Sequence, residues 1–300
     1  MVPEAGVPRR NDPITDTSQL LKQRIARLHR QLPQALAGAE EPVHQMRIAA
    51  RRLRVALPLL AQKPGGKRVR RALRRVCDLT RGGGGSRDLD VVTALLEGRL
   101  AEAPSPELKR LVRDLRAARA RSKTRLAGDL LDIDIARLRR DLRAILARRG
   151  VPIATALRRL RVAAAREQAG ALETLDAVGE TFDPAGLHRV RIRFRRLRYA
   201  AELVDALSGV DSGAPTTFRG VQEAVGSLHD AFMLSGWLER KAARAQAAGH
   251  EALAQCALAE RDRALEQARR HHREFLALDP RALLTRGAQA MATSLDAVYR

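Results

Sequence analysis

An eighteen-residue segment occurs twice in this chain, as VHQMRIAARRLRVALPLL at residues 43–60 and as LHRVRIRFRRLRYAAELV at residues 187–204. The copies are identical at nine positions, which include one histidine and four arginines. In both copies the apolar residues recur every three or four positions, the spacing of one buried face of an α-helix. The repeat therefore predicts two equivalent helices. Because charged residues are repeated as well as apolar ones, it also predicts a duplicated binding site.

The repeated charges form a stripe beside the apolar face, roughly 100° away around the helix. The stripe residues are His44, Arg47, Arg51 and Arg54 in the first copy, and His188, Arg191, Arg195 and Arg198 in the second. Residues 43–57 and 187–201 contain no acid, so neither helix neutralises its arginines through i,i+4 ion pairs. A bound polyanion would relieve this repulsion, and we expect one to be the ligand.

Four of the motif residues have two interpretations each. Arg52 and Arg196 point about 100° away from the stripe, where each binds phosphate or pairs with an acid on a neighbouring helix. His44 and His188 lie at the helix starts, where each contacts ligand or caps and packs the helix as a neutral imidazole. Neither histidine is followed at i+3 or i+4 by a second histidine or a carboxylate, which argues against a metal site.

A second basic stripe is predicted on the following helix. Its members are spaced i, i+3, i+4 and i+7: Lys67, Arg70, Arg71 and Arg74. The second half retains only Arg219 in this region. Either this stripe extends the predicted anion-binding surface on one side, which we favour, or it is an ordinary solvent-exposed face of the helix.

Composition supports a polyanionic partner. The chain has 56 lysines and arginines against 34 acids, a formal net charge of +22. It contains only one Trp, two Tyr and five Phe, whereas proteins that hold single-stranded nucleic acid usually stack bases on aromatic rings. The composition thus favours an anion without bases. A nucleic-acid-binding helical protein remains the alternative, and the net charge itself predicts weak nucleic-acid binding.

Several classes of protein fit the sequence poorly. No run of eighteen apolar residues suggests a membrane span, and residues 1–16 read as a flexible tail without the apolar region of a signal peptide. We therefore expect a cytoplasmic protein. Neither a metal cage nor a nucleophile with an aligned base lies at a repeated position, so we expect no cofactor and no enzymatic activity. The glycine run at residues 82–85 lacks the GK[ST] ending of a P-loop.

The spacing of Leu, Ala and Val predicts an all-α protein. Pro58 is expected to kink the first motif helix or end it early. A further helix is expected from about Arg87, after the glycine run. The second half retraces the first at offsets between 142 and 147 residues, which predicts two fused copies of one helical bundle at residues 17–149 and 150–300.

The duplicated HxxRIxxRRLR helix, followed some forty residues later by a glycine and an aspartate, resembles the CHAD domain, the conserved histidine α-helical domain. The resemblance implies two tandem four-helix-bundle-like repeats with pseudo-twofold symmetry, additional helices, and a basic surface or pore between them. It also implies non-catalytic binding of inorganic polyphosphate and localisation to polyphosphate granules. The residues that it assigns to the site are His44, Arg47, Arg51, Arg52, Arg54, His188, Arg191, Arg195, Arg196, Arg198 and Tyr199.

The chain departs from the family pattern in two ways. Relatives are often fused to a CYTH domain, but this chain has neither its ExExK motif nor strands to carry one, so hydrolysis would need another protein. An accessory subunit of a polyphosphate- or triphosphate-processing enzyme is therefore a further alternative. Val55 stands where the second copy has Tyr199, so the two half-sites are not equivalent.

Overall fold

A computed structural model of the protein describes residues 17–82 and 84–297. Within these ranges the chain forms eleven helices and no strand, which confirms the all-α prediction. The helices are α1 (Thr17–Leu36), α2 (Glu40–Leu60), α3 (Lys67–Gly82), α4 (Gly84–Glu102), α5 (Pro106–Leu131), α6 (Ile135–Leu146), α7 (Ile153–Val178), α8 (Pro184–Ser208), α9 (Ala214–Ala247), α10 (Glu251–Ala277) and α11 (Pro280–Ala297). None of them has the length and apolar character of a membrane span. The predicted flexible tail lies outside the described residues.

Local sequence signals explain where α8, the second motif helix, begins and ends. Asp183 accepts a hydrogen bond from the backbone nitrogen of Ala185 at 3.0 Å, and Pro184 occupies the first helical position. Gly209 ends the helix in the left-handed conformation, with φ of 73°. In the first copy, α2 continues past Pro58 to Leu60. Pro58 does not end α2 early, because a proline in the last turn removes only one helical hydrogen bond.

Apolar packing sorts the helices into three groups of four. The first contains α1, α2, α3 and α6, and the second contains α7, α8, α11 and the first part of α9. One continuous core joins these two groups. The third group takes α4 and α5 from the first half, and α10 and the rest of α9 from the second; its core includes Leu96, Leu111, Leu238 and Ala257. The division at residues 149 and 150, and the pseudo-twofold symmetry, stay predictions.

In both halves the described residues that follow the predicted glycine motif are helical. In the first half α4 is described from Gly84, slightly earlier than the predicted start at about Arg87. In the second half Gly226 lies inside the 34-residue helix α9. The two motif helices, α2 and α8, pack against each other where the first two groups meet. This contact places the repeated arginines of both copies in one region.

We expect Gly287→Ala to lower the free energy of unfolding by about 1–3 kcal/mol. Gly287 of α11 packs on the fully buried Phe218 of α9, and a Cβ at position 287 would lie 2.5 Å from its ring. Gly98→Ala is the matched control, because a Cβ at that position in α4 meets no atom within 4 Å. It should leave stability unchanged or raise it by up to about 1 kcal/mol. Urea unfolding of both variants measures the difference, and equal losses would contradict the packing described here.

Candidate anion-binding groove

A groove with a volume of about 930 Å³ opens between α2, α7 and α8. We call it the arginine groove, after the eight arginines that line it: Arg51, Arg54, Arg158, Arg159, Arg166, Arg193, Arg195 and Arg196. Among the described residues, Glu167 is the one acid in its lining. Apolar side chains, including Val55, Leu59 and Ile192, complete the lining. The groove is therefore a strongly cationic surface to which both motif helices contribute.

Three arginines lie close together where the motif helices meet, and we call them the central arginine cluster: Arg51, Arg191 and Arg195. Burial, together with the charge of Arg51, lowers the pKa of Arg195 to about 9. Burial also lowers the pKa of Arg51, and the charge of Arg191 adds to this effect. An arginine normally keeps its proton beyond pH 12. Such lowered pKa values mean that like charges are held together in a poorly hydrated place.

Two histidines adjoin the cluster. The rings of His188 on α8 and His229 on α9 lie 4.9 Å apart between centroids. Burial and the charge of Arg191 lower the pKa of both imidazoles, and that of His229 falls to about 4. Among the described residues, the buried Nδ1 of His188 and Nε of Arg191 have no hydrogen-bond partner. The lowered pKa values favour the neutral form of both rings at pH 7.

Arg47, the second residue of the first stripe, makes a structural contact between two helices. The residue is 6% exposed, and its guanidinium donates to the carbonyl oxygen of Thr80 on α3 at 2.7 Å. Arg54, two turns later, lines the groove, and its Nη1 lies 3.5 Å from Thr80 Oγ1. Arg47 therefore joins α2 to α3, while Arg54 faces the groove.

Arg52 and Arg196 each have an acid partner on a neighbouring helix. Arg52 donates to both oxygens of Glu202 on α8, at 2.7 and 2.8 Å. Arg196 donates to Glu167 on α7 at 3.0 Å. Arg198 lies 3.8 Å from Glu202, with its guanidinium 4.8 Å from the ring centre of Tyr199. Tyr199 is buried and lines the groove, so this stacking holds its ring in place.

His44 lies in a different environment from His188. It lines a small cleft together with Glu40, Asp90 and Lys123. Glu40 and Asp90 also bind Arg119 of α5. Glu40 also pairs with Lys123 at 3.0 Å, so His44 lies beside an ion-pair network instead of a cluster of unneutralised arginines. The half-sites therefore differ at their histidines as well as at positions 55 and 199.

The second basic stripe does not line the arginine groove. Arg71 donates to both oxygens of Asp141 on α6, at 3.1 and 2.7 Å. The remaining members, Lys67, Arg70 and Arg74, are exposed. Lys67 and Arg71 line a separate pocket of about 330 Å³, so the extension of the anion-binding surface along this stripe stays a prediction.

Helix α7 contributes groove residues that the repeat could not reveal. Arg158 and Arg166 are exposed in the groove wall, two helical turns apart. Arg159 donates to the carbonyl oxygens of Leu59 and Ala61, at 3.2 and 2.8 Å, and satisfies acceptors at the end of α2. The spacing of Arg158 and Arg166 is the one sequence signal that places them on a common face. Outside the groove lining, the charge of Asp88 on α4 partly offsets the lowering of the pKa values of Arg51 and His188 by burial and neighbouring arginines.

Comparison with known proteins identifies the family and the fold. The sequence profile of the CHAD domain matches residues 19–239, which include both motif helices. The crystal structure of the CHAD domain from the plant Ricinus communis superimposes with a TM-score of 0.60 at 22% identity, over 97% of each chain. Comparison with curated protein sequences gave no significant match. On the profile match, which spans well over half of its length, the chain belongs to the CHAD domain family.

Proposed function

We propose that the protein binds inorganic polyphosphate in the arginine groove as a non-catalytic module, and that this binding brings it to polyphosphate granules. The observation that carries the proposal is the central arginine cluster, in which Arg51, Arg191 and Arg195 are crowded together and the pKa values of Arg51 and Arg195 are lowered. CHAD domains are associated with polyphosphate- and triphosphate-related proteins. Burial of like charges is unfavourable in the free protein, and a bound polyanion offsets it.

The chemistry of the groove fits a phosphate chain. Guanidinium groups donate pairs of hydrogen bonds to phosphate oxygens, and each charge-assisted contact contributes about 1.5–3 kcal/mol. Arg158 and Arg166 are separated by about 12 Å along α7, so the wall follows an extended ligand instead of enclosing a compact one. Among the described residues, Tyr199 is the one aromatic ring in the lining; it is 3% exposed and offers no open face for a base. A linear polyanion without bases satisfies these features best.

Competition binding tests the proposal. Labelled long-chain polyphosphate is bound at physiological salt and displaced with DNA, RNA, ATP and short polyphosphates. We expect long-chain polyphosphate to compete best. We also expect the affinity to fall steeply on a log–log plot against salt, by analogy with the slope of about −0.9 per phosphate neutralised on DNA. Stronger competition by DNA or RNA would indicate a nucleic-acid-binding protein instead, and a flat salt plot would contradict a polyanion site of either kind.

We expect polyphosphate binding to tighten as the pH falls from about 8 to about 6. In the free protein, burial and the charges of Arg191 and Arg195 lower the pKa of His188. A bound phosphate chain favours the imidazolium and raises that pKa. Because the pKa of His188 is higher in the complex than in the free protein, binding is accompanied by uptake of a proton at pH values between these two pKa values. Affinity then rises by at most about tenfold per pH unit for one proton.

Calorimetric titration in buffers of different ionisation enthalpy measures this proton uptake. His188→Gln keeps a hydrogen-bonding side chain but takes up no proton, so it should remove most of the pH dependence. His44→Gln is the matched control, and should retain the pH dependence because His44 lies beside Glu40 and Asp90. Unchanged proton uptake in His188→Gln would show that His188 is only a packing residue.

A further inference from the structure

Glu167 has an unusual position for an acid, because it lies in a groove lined by eight arginines. Its Oε2 accepts a hydrogen bond from Arg193 Nη1 at 3.0 Å, and its Oε1 accepts one from Arg196 Nη1 at 3.0 Å. The side chains of Glu167, Arg193 and Arg196 are 23%, 34% and 43% exposed. One carboxylate thus bridges two groove arginines where ligand and solvent reach all three groups.

The backbone of α7 fixes the position of Arg193. A Cβ at Gly170, one turn after Glu167, would lie 2.8 Å from Cζ of Arg193. The guanidinium therefore lies directly against the helix, in the space that a glycine leaves free. Arg193 is held in the free protein by this contact and by Glu167.

A carboxylate that accepts from two guanidinium groups presents them with the same pattern as two non-bridging oxygens of a phosphate. Partly exposed ion pairs of this kind are weak, because solvent screens them. A ligand that already contacts the central arginine cluster brings further phosphates to Arg193 and Arg196 at high local concentration. Such a ligand competes effectively with a single carboxylate.

We propose that Glu167 occupies a phosphate position of the arginine groove, and that polyphosphate binds there by displacing its carboxylate from Arg193 and Arg196. The inference rests on the proposed function, since polyphosphate is the ligand. It makes Glu167 an internal competitor that lowers the affinity of the groove.

Affinity measurements with labelled long-chain polyphosphate at physiological salt test this inference. Glu167→Gln is expected to bind about fivefold more tightly than the wild type, because it frees two arginines from a surface ion pair. Glu173→Gln is the matched control: it makes the same change in charge on α7, but Glu173 is exposed and does not line the groove. It should change the affinity by less than about twofold. In an Arg193→Ala/Arg196→Ala background, Glu167→Gln should have no effect beyond that of the control.

The outcomes separate the two proposals. If the wild type binds no polyphosphate, the proposed function itself is wrong. If the wild type binds and Glu167→Gln binds equally or more weakly, Glu167 is a positioning residue and the competitor role is wrong. Equal tightening by both glutamine variants would reduce the effect to net charge, which also overturns the inference. Glu167→Ser serves as a second variant if thermal unfolding shows that the first one misfolds.

Discussion

The variant Arg51→Ala/Arg191→Ala/Arg195→Ala is expected to lose polyphosphate affinity by about a thousandfold or more, while its folded stability stays at or above that of the wild type. Three charge-assisted contacts of at least about 1.5 kcal/mol each account for the lost affinity. We expect stability not to fall, because Arg51 and Arg195 are partly buried near like charges, which lowers the pKa of both and that of Arg195 to about 9. A cation whose pKa is lowered by folding destabilises the folded state below its ordinary pKa.

Binding titration and urea unfolding of the same preparation measure the two effects. The matched control removes three exposed arginines from α5 and α10: Arg121, Arg269 and Arg270. It makes the same change in net charge away from the groove, and we expect it to weaken binding by less than about tenfold. Equal losses in the two triple variants would mean that diffuse attraction to the net charge, rather than a defined site, holds the ligand.

Glu202→Gln should lower the free energy of unfolding by about 3–5 kcal/mol at pH 7. Glu202 on α8 is 14% exposed and binds Arg52 of α2 with both oxygens, while Arg24 of α1 lies 3.5 Å away. Burial by itself would raise the pKa of Glu202, but the hydrogen bond with Arg52 and the nearby charges hold it below its ordinary value. Without the carboxylate, the guanidinium groups remain buried and uncompensated.

The sign of the pH effect provides a second readout. Since folding lowers the pKa of Glu202, its contribution is fully present above its unfolded pKa of about 4.3 and is lost as the pH falls through the folded pKa. The stability difference between wild type and Glu202→Gln should therefore shrink in acid. Glu239→Gln, an exposed position on α9, is the control and should change stability by less than about 0.5 kcal/mol. A constant difference between pH 7 and pH 3 would contradict the ion-pair explanation.

Much of the fold was predictable because its signals are local. Helical spacing places Leu53 and Phe194 in the core, and both are fully buried. The Asp183-Pro184 pair marks the start of α8, and its capping hydrogen bond is present. The third helix group was not predictable in this way. Its contacts join α4 and α5 to α9 and α10 across the two halves, and the periodicity of one helix does not specify its partner.

The same distinction applies to the candidate site. The repeat indicates Arg51 and Arg195 because both copies keep an arginine at that position, and the structure places them together in the groove. Arg47 has the same helical spacing, yet it binds the Thr80 carbonyl because α3 covers that turn of α2. The spacing of residues in the sequence shows which of them share a helix face. Whether that face is accessible to a ligand depends on the neighbouring helix that packs against it. Arg166 and Glu167 lie outside the repeated segment, so duplication gave no indication of them.

The third helix group connects the two halves of the chain. It contains one helical hairpin from each half, and Leu96 and Leu111 of the first half pack in one core with Leu238 and Ala257 of the second. Neither half can swing away from the other without exposing this core to water. The spacing between α2 and α8 is therefore settled during folding and not when ligand arrives. If the proposed function holds, we expect a polyanion to meet arginines that are already positioned, so that little ordering entropy opposes its binding and its association is fast.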